Sequence, residues 1–190
     1  MIAVLFMAFA DEPQAPALSE STVKFRVKGI TRQAAKDVVC KDITLSAPGT
    51  LESVLGDDIN NIDSLVVRGP INAADFHTIW SASFNGNLSV INLEGTSIEN
   101  GIIPPRAFWH QDEQLQEDGT IYVIALKRII LPNQIKTIGD FAFSYAIHLE
   151  SINIPSKLQN LGIYCFSDCM SLATNPMQLP EGLMDIPAMC

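Results

Sequence analysis

The chain repeats itself between Leu126-Lys-Arg-Ile129-Ile-Leu131-Pro132 and Leu149-Glu-Ser-Ile152-Asn-Ile154-Pro155, which lie 23 residues apart. Further positions match at the same spacing: Ile135 with Leu158, Ile138 with Leu161, Gly139 with Gly162, Ala142 with Cys165, Phe143 with Phe166, and Leu149 with Leu172. A third, less regular copy begins at Leu172 and contains Met177, Leu179, Pro180, Leu183, Ile186 and Cys190. So many matches at one spacing predict tandem structural repeats.

The order of residues within one copy predicts its local structure. Alternating apolar residues form a short strand, and the proline that follows ends it because proline donates no ladder hydrogen bond. The glycine permits a turn that a side chain would obstruct. One copy cannot enclose its own apolar side chains, whereas stacked copies bury each other's open faces. The fold class predicted is therefore an α/β-type repeat solenoid with short parallel strands, few short helices and an N-terminal capping region.

Stacking of the copies would place residues at equivalent repeat positions next to each other. Phe143 and Phe166 should stack inside, since they occupy the same position in successive copies. Cys165 and Cys190 share the small interior position of Ala142. A disulfide between these cysteines requires Cα atoms within about 7 Å of each other, and the sequence leaves the bond open.

Upstream of residue 126 the pattern is looser. Leu88-Ser-Val-Ile91-Asn-Leu93 and Ile62-Asp-Ser-Leu65-Val-Val67 keep the strand spacing. Residues 110–120 (HQDEQLQEDGT) are acidic and poor in apolar residues, which predicts a loop inserted between copies. Asn72 is a good N-cap for a helix that places Phe76, Ile79 and Trp80 on one face. Thr50 is the predicted cap of a shorter helix with Leu51 and Leu55 inward.

The chain divides into four predicted parts. Residues 1–10 are apolar and end in Ala8-Phe9-Ala10, which predicts a partial signal peptide without its positive start. Residues 11–21 form a linker, and residues 22–60 form the capping region. Residues 61–190 form the solenoid, which we expect to be truncated at its C-terminus because the sequence stops within a copy.

Composition excludes several functions. The chain has 190 residues, of which 47% are hydrophobic, so a disordered acidic tail is excluded. Its formal net charge of −9 argues against nucleic acid, which requires a concentrated positive surface. The apolar run at residues 2–10 is too short to span a membrane. We expect a monomer.

Motifs of catalysis and ligand binding are absent from the sequence. It contains no nucleophile elbow, zinc-protease motif or phosphate-binding loop, so the chain is predicted not to be an enzyme. No metal site and no cofactor are predicted: Asp58 to Asp63 lacks the glycine of a calcium loop, and the run from His110 to Glu113 is typical of a solvated surface. Trp80 and Trp109 are interpreted as core residues rather than sugar platforms.

The pattern of Leu149, Ile152, Ile154-Pro155, Ile138-Gly139 and Ala142-Phe143 resembles the BspA-type leucine-rich repeats, which are common in surface proteins of Bacteroides-like bacteria. The resemblance covers roughly residues 43–190 and is most specific between 126 and 172. Departures are Leu161, Cys165 and Pro187. The resemblance implies a right-handed stack, secretion to the cell surface, and binding of host or bacterial macromolecules without catalytic residues.

The strand segments define a candidate binding face. Positions between the inward residues point outward and would align in a ladder: Val90, Asn92, Arg128, Ile130, Ser151, Asn153 and Gln178. Such a mixed, shallow face suits a protein or glycan partner rather than a small molecule. The predicted function is a secreted or cell-surface module for protein interaction or adhesion. The alternative is a non-catalytic targeting or scaffold segment of a larger exported enzyme. For each face residue, simple solvent exposure is the competing interpretation.

Overall fold

The computed structural model of the protein describes residues 24–27, 37–172, 178–187 and 190, with only the backbone described at 24–27 and 111–112. The strands of this part are β1 (Lys24–Val27), β2 (Cys40–Thr44), β3 (Ser64–Ile71), β4 (Val90–Ile98), β5 (Ile102–Ile103), β6 (Thr120–Val123), β7 (Arg128–Ile130), β8 (Thr137–Ile138), β9 (Ser151–Ile152) and β10 (Asn160–Leu161). Its α-helices are α1 (Leu51–Leu55), α2 (Ala73–Phe84) and α3 (Gln111–Gln114). The predicted signal peptide at 1–10, the linker at 11–21 and Met177 lie outside the described residues.

A five-stranded parallel sheet runs in the order β2-β3-β4-β7-β9. Inward side chains of these strands are buried, as at Leu65, Ile91 and Ile129, because alternate residues of a strand point to opposite faces. Repeats, parallel strands and few short helices confirm an α/β repeat fold. The sheet includes β2, which lies within the segment predicted as the capping region, and that role for residues 22–60 stays a prediction.

The 23-residue repeat builds the interior. All the apolar repeat positions of the first copy are buried: Leu126, Ile129, Leu131, Ile135, Ile138, Ala142 and Phe143. In the second copy Leu149, Ile152, Leu158 and Cys165 are buried, while Ile154, Leu161 and Phe166 are partly buried against the same core. Phe143 stacks on Phe108 at 4.9 Å between ring centroids and on Phe166 at 5.3 Å, which confirms the predicted stacking.

Hydrogen bonds from copy to copy also join the segments outside the main sheet. Strands β5, β8 and β10 form a second parallel sheet. In the turns, the N–H of Phe143 donates to the carbonyl of Cys165 at 2.9 Å. At Gly162 an added Cβ would overlap the backbone of Gly139 and Asp140, so glycine is required by close approach of the preceding copy rather than by a positive φ.

Helices α1 and α2 are joined by one buried carboxylate. Asp75 accepts hydrogen bonds from the N–H groups of Gly49 (2.6 Å), Leu51 (2.9 Å) and Asn72 (2.9 Å). Asn72 caps α2 as predicted, with its side chain accepting from the N–H of Ala74. Thr50 is the N-cap residue of α1, and Leu51 and Leu55 are buried, as predicted. The Thr50 side chain forms no cap hydrogen bond, because its hydroxyl donates to the carbonyl of Ala47, and Asp75 accepts from the N–H of Leu51 instead.

The 110–120 segment is not the plain loop that its composition predicted. It contains α3, and Leu115 then forms an antiparallel bridge with Ile121. Gln114 is fully buried and ties this segment to the core by accepting from the Trp80 indole N–H and donating to the carbonyl of Tyr122. A single buried polar side chain therefore gives an acidic stretch a fixed structure. Downstream, β6 pairs in parallel with β1.

The third copy forms one strand-like bridge with the second copy. Asp185 forms a parallel bridge with Asn160. Leu183 and Cys190 pack partly buried against the core, whereas Leu179 and Ile186 are exposed. Cys165 and Cys190 are free thiols joined by a side-chain hydrogen bond, which raises the pKa of Cys165 and lowers the pKa of Cys190. Cys165 is fully buried and Cys190 only partly, so the interior position is confirmed for Cys165 alone.

Candidate functional site

The outward side chains of the five-stranded sheet lie in rows across the strands. Strand register places Cys40, Ser64, Val90, Arg128 and Ser151 in the first row, and Asp42, Val66, Asn92 and Ile130 in the second. We call these two rows the strand face. The pairing brings together five of the seven residues predicted for binding. Their role in binding stays a prediction.

Exposure differs among the predicted residues. Arg128, Ser151 and Gln178 are exposed, and Val90 is 36% exposed. Asn92, Ile130 and Asn153 are partly buried. The positive charge of Arg128 therefore projects between Val90 and Ser151, in a row whose other described members are uncharged.

Two of the predicted residues use their side chains within the fold. Asn153 forms a pair of hydrogen bonds with Leu131, accepting from its N–H at 2.6 Å and donating to its carbonyl at 2.8 Å. This pair extends the contact of two copies beyond the three residues of β7. Asn92 accepts from the N–H of Glu94 at 2.9 Å, next to an irregularity in the pairing of β3 and β4. Both side chains thus have structural roles that sequence reasoning did not assign.

Sequence reasoning missed the part of the strand face contributed by β2 and β3. Ser64 and Val66 alternate with the inward residues of β3, a signal that was available from the spacing of Leu65 and Val67. Beyond the second row, Arg68 forms an ion pair with Asp42. Arg68 lies opposite Gly95, where a Cβ would come within 2.8 Å of the Arg68 side chain. Gly95 therefore leaves the space that the arginine stem occupies.

An open groove lies beside the strand face, at the carboxyl ends of β3 and β4. It has a volume of about 330 Å³, and its lining includes Pro48, Pro70, Ser97 and Glu99. A neighbouring depression of about 210 Å³ shares Asn72, Ile98 and Glu99 with it. A partner lying along the strands would reach this edge.

His148 lies between Lys127 and Glu150, next to the start of β7 and β9, and its environment makes stability depend on pH. Burial and the charge of Lys127 lower the pKa of His148, while Glu150 opposes them. As the pH falls below about 6.5, His148 of the unfolded chain therefore binds a proton, whereas His148 of the folded chain stays neutral until a lower pH. Stability is fully present above about pH 6.5 and should fall as the pH decreases toward the folded-state pKa.

We expect the urea midpoint to be lower at about pH 5.5 than at about pH 7.5, a window above most carboxylate titration. His148→Gln should reduce this difference. The substitution should not abolish the difference between the two midpoints, because burial also lowers the pKa of His110. A wild-type midpoint that stays constant over the window would contradict this account.

One group of described side chains has the composition of a metal site. His77, His110 and Glu113 place one potential ligand atom each within 4.8 Å of the others. The group lies where α2 meets the 110–120 segment, away from the strand face.

Short parallel strands, a 23-residue period and a buried ladder of Leu, Ile and Phe define an α/β repeat protein. Residues 118–190 match a family model whose description is BspA type leucine rich repeat region (6 copies). No curated protein matches the chain. The repeat type of the matched region supports a module for protein interaction. Within the described residues, no helix has both the length and the apolar character of a membrane span.

Proposed function

We propose that this chain is a secreted or cell-surface binding module that mediates protein interaction or adhesion without catalysis. Its repeats would form a right-handed leucine-rich-repeat solenoid, and its partner would be a protein or glycan on a host or bacterial surface. A Bacteroides-like source belongs to the same proposal. One observation carries it: outward residues from five successive parallel strands lie in register on a single open face.

The chemistry of the strand face favours a macromolecule over a small metabolite. It carries hydroxyl, thiol, aliphatic and amide groups, with the exposed carboxylate of Asp42 on the edge strand β2 and Arg128 as an exposed cation. Arginine is enriched among the residues that dominate binding energy at protein interfaces, because its guanidinium donates several hydrogen bonds in a fixed plane. Neither of the two grooves described above is lined by residues of the strand face, so a partner with its own extended surface fits this face better than a ligand that needs enclosure.

The size of the strand face limits how it binds. Five strands spaced about 4.8 Å apart span about 19 Å, and the two rows lie about 7 Å apart, so the area between the outer positions is about 130 Å². A standard specific interface uses about 800 Å² on each partner. A specific partner must therefore also contact the flanking turns or the groove beside β3 and β4.

The decisive test compares two charge reversals of the same size. The wild-type protein is passed over immobilised host extracellular-matrix proteins and bacterial surface glycans, with albumin as the reference surface. Arg128→Glu should weaken binding to the recognised partner about tenfold, a loss of about 1.4 kcal/mol. Lys157→Glu changes an exposed turn residue by the same charge and should leave affinity within about twofold.

Two results would count against the proposal. Binding to no member of the panel above albumin would contradict adhesion to these surfaces. Equal loss of affinity in Arg128→Glu and Lys157→Glu would show that net charge, rather than the strand face, controls the interaction. Circular dichroism of both variants establishes that each retains the wild-type fold.

A further inference from the structure

We propose that His77, His110 and Glu113 form a binding site for a divalent transition metal, with Zn²⁺ as the ion that best fits two imidazoles and one carboxylate. The site is independent of the strand face and of the function proposed for it. The sequence predicted no metal here because His77 precedes His110 by 33 residues. Only the fold brings α2 against the segment that contains α3.

The two imidazole rings already lie together in the fold. Their centroids are 5.2 Å apart and their planes are nearly perpendicular, at 88°. Trp80 contacts both rings, with its centroid 4.2 Å from that of His110 and 5.2 Å from that of His77. Both histidine rings thus pack against the buried side chain of Trp80.

The buried side chain of Gln114 holds the two halves of the site in place. Its carbonyl oxygen accepts from the Trp80 indole N–H at 3.2 Å and from the backbone N–H of His110 at 2.8 Å. Its amide donates to the carbonyl of Tyr122 at 2.9 Å. The backbone of His110 is therefore fixed relative to α2, and Glu113 follows one helical turn later. Such support lowers the entropy lost when the ligands converge on an ion.

The distances allow coordination with small side-chain movements. Tetrahedral Zn²⁺ holds its ligands at about 2.0–2.1 Å, so ligand atoms lie about 3.3 Å from one another. The three potential ligand atoms are within 4.8 Å of each other, so they need to approach by at most about 1.5 Å. Glu113 and His77 are exposed and can rotate by this amount.

The donor set selects the class of metal. Two nitrogens and one oxygen suit Zn²⁺ and neighbouring transition metals, whereas Ca²⁺ and Mg²⁺ prefer oxygen ligands. The positive charge of Arg106 disfavours the binding of a divalent cation nearby. Its guanidinium, however, lies over the Phe141 ring and not among the three ligands. Three protein ligands leave one position for water or a partner group.

The test is a calorimetric titration of the untagged full chain with Zn²⁺. We expect saturable binding of one ion for each chain, and weakening by about tenfold or more in both His77→Ala and Glu113→Gln. His148→Ala removes a histidine outside the group and should leave this affinity unchanged. Co²⁺ provides a second readout, because nitrogen and oxygen ligands in a tetrahedral field give it a visible absorption band that both site variants should lose.

The controls separate this site from other metal ligands of the chain. Zn²⁺ bound by cysteine thiols would survive His77→Ala and Glu113→Gln, and that result would overturn the assignment. The absence of saturable binding in the wild type would also overturn it. Both substituted side chains are exposed, and circular dichroism of each metal-free variant verifies that folding is retained.

Discussion

Replacing Asp75 with alanine should destabilise the protein by about 3–5 kcal/mol. The carboxylate is fully buried and is the acceptor for the N–H groups of Gly49, Leu51 and Asn72. The variant leaves three donors without this acceptor, and each buried donor without a partner costs about 1–3 kcal/mol. Water can partly reach Gly49 and Asn72, so the expected loss of stability is below the sum of the largest costs for three buried donors. Urea denaturation measures the loss as a lower midpoint at unchanged slope.

Two further variants show whether the effect comes from the hydrogen bonds. Asp75→Asn keeps one oxygen acceptor and should cost about half as much as Asp75→Ala. Asp57→Ala removes an exposed acidic residue from the turn after α1 and should change stability by less than about 0.5 kcal/mol. If Asp75→Ala were no more destabilising than Asp57→Ala, the carboxylate would not hold α1 and α2 together.

Asp75 also shows where sequence reasoning reached its limit in this fold. The helix α2 could be predicted, because its cap and its apolar face are local signals within the nine residues from Asn72 to Trp80. The cap hydrogen bond of α1 could not, since the acceptor for Leu51 lies 24 residues further along the chain. Thr50 occupies the N-cap position as predicted, but the acceptor for the N–H of Leu51 is Asp75.

The repeat between residues 126 and 172 was the most predictable part of the fold. Each interior position recurs at fixed spacing, so one alignment predicts burial at many sites together. The 110–120 segment was the least predictable, because its structure depends on the single residue Gln114, which contacts Trp80 and Tyr122 from other parts of the chain. The composition of a segment gives its average polarity, and it does not show that one amide side chain, that of Gln114, is buried.

The candidate sites differ in the same way. The rows of the strand face follow from strand alternation and repeat period, both of which are visible in sequence. The structural use of Asn153 required the position of Leu131 in the preceding copy. The group of His77, His110 and Glu113 required knowledge that α2 packs against α3, which no spacing in the sequence encodes.

Phe143→Ala should be the most damaging change within the repeats, with an expected loss of about 3–5 kcal/mol. Phe143 is fully buried and stacks on Phe108 on one side and on Phe166 on the other. Truncation removes two aromatic contacts and leaves a cavity between copies that the backbone ladder prevents from closing. Phe143→Leu fills most of that space and should cost less, about 1–1.5 kcal/mol.

The matched control is Phe141→Ala, two residues away. Phe141 is only partly buried and pairs with Tyr164 outside the main core, with ring centroids 5.1 Å apart. We expect this change to cost about 1 kcal/mol, because much of the ring is already in water. Urea midpoints of the three variants provide the comparison. Equal losses at positions 141 and 143 would mean that the interior phenylalanine stack contributes no more than an outer aromatic pair, contrary to the packing described above.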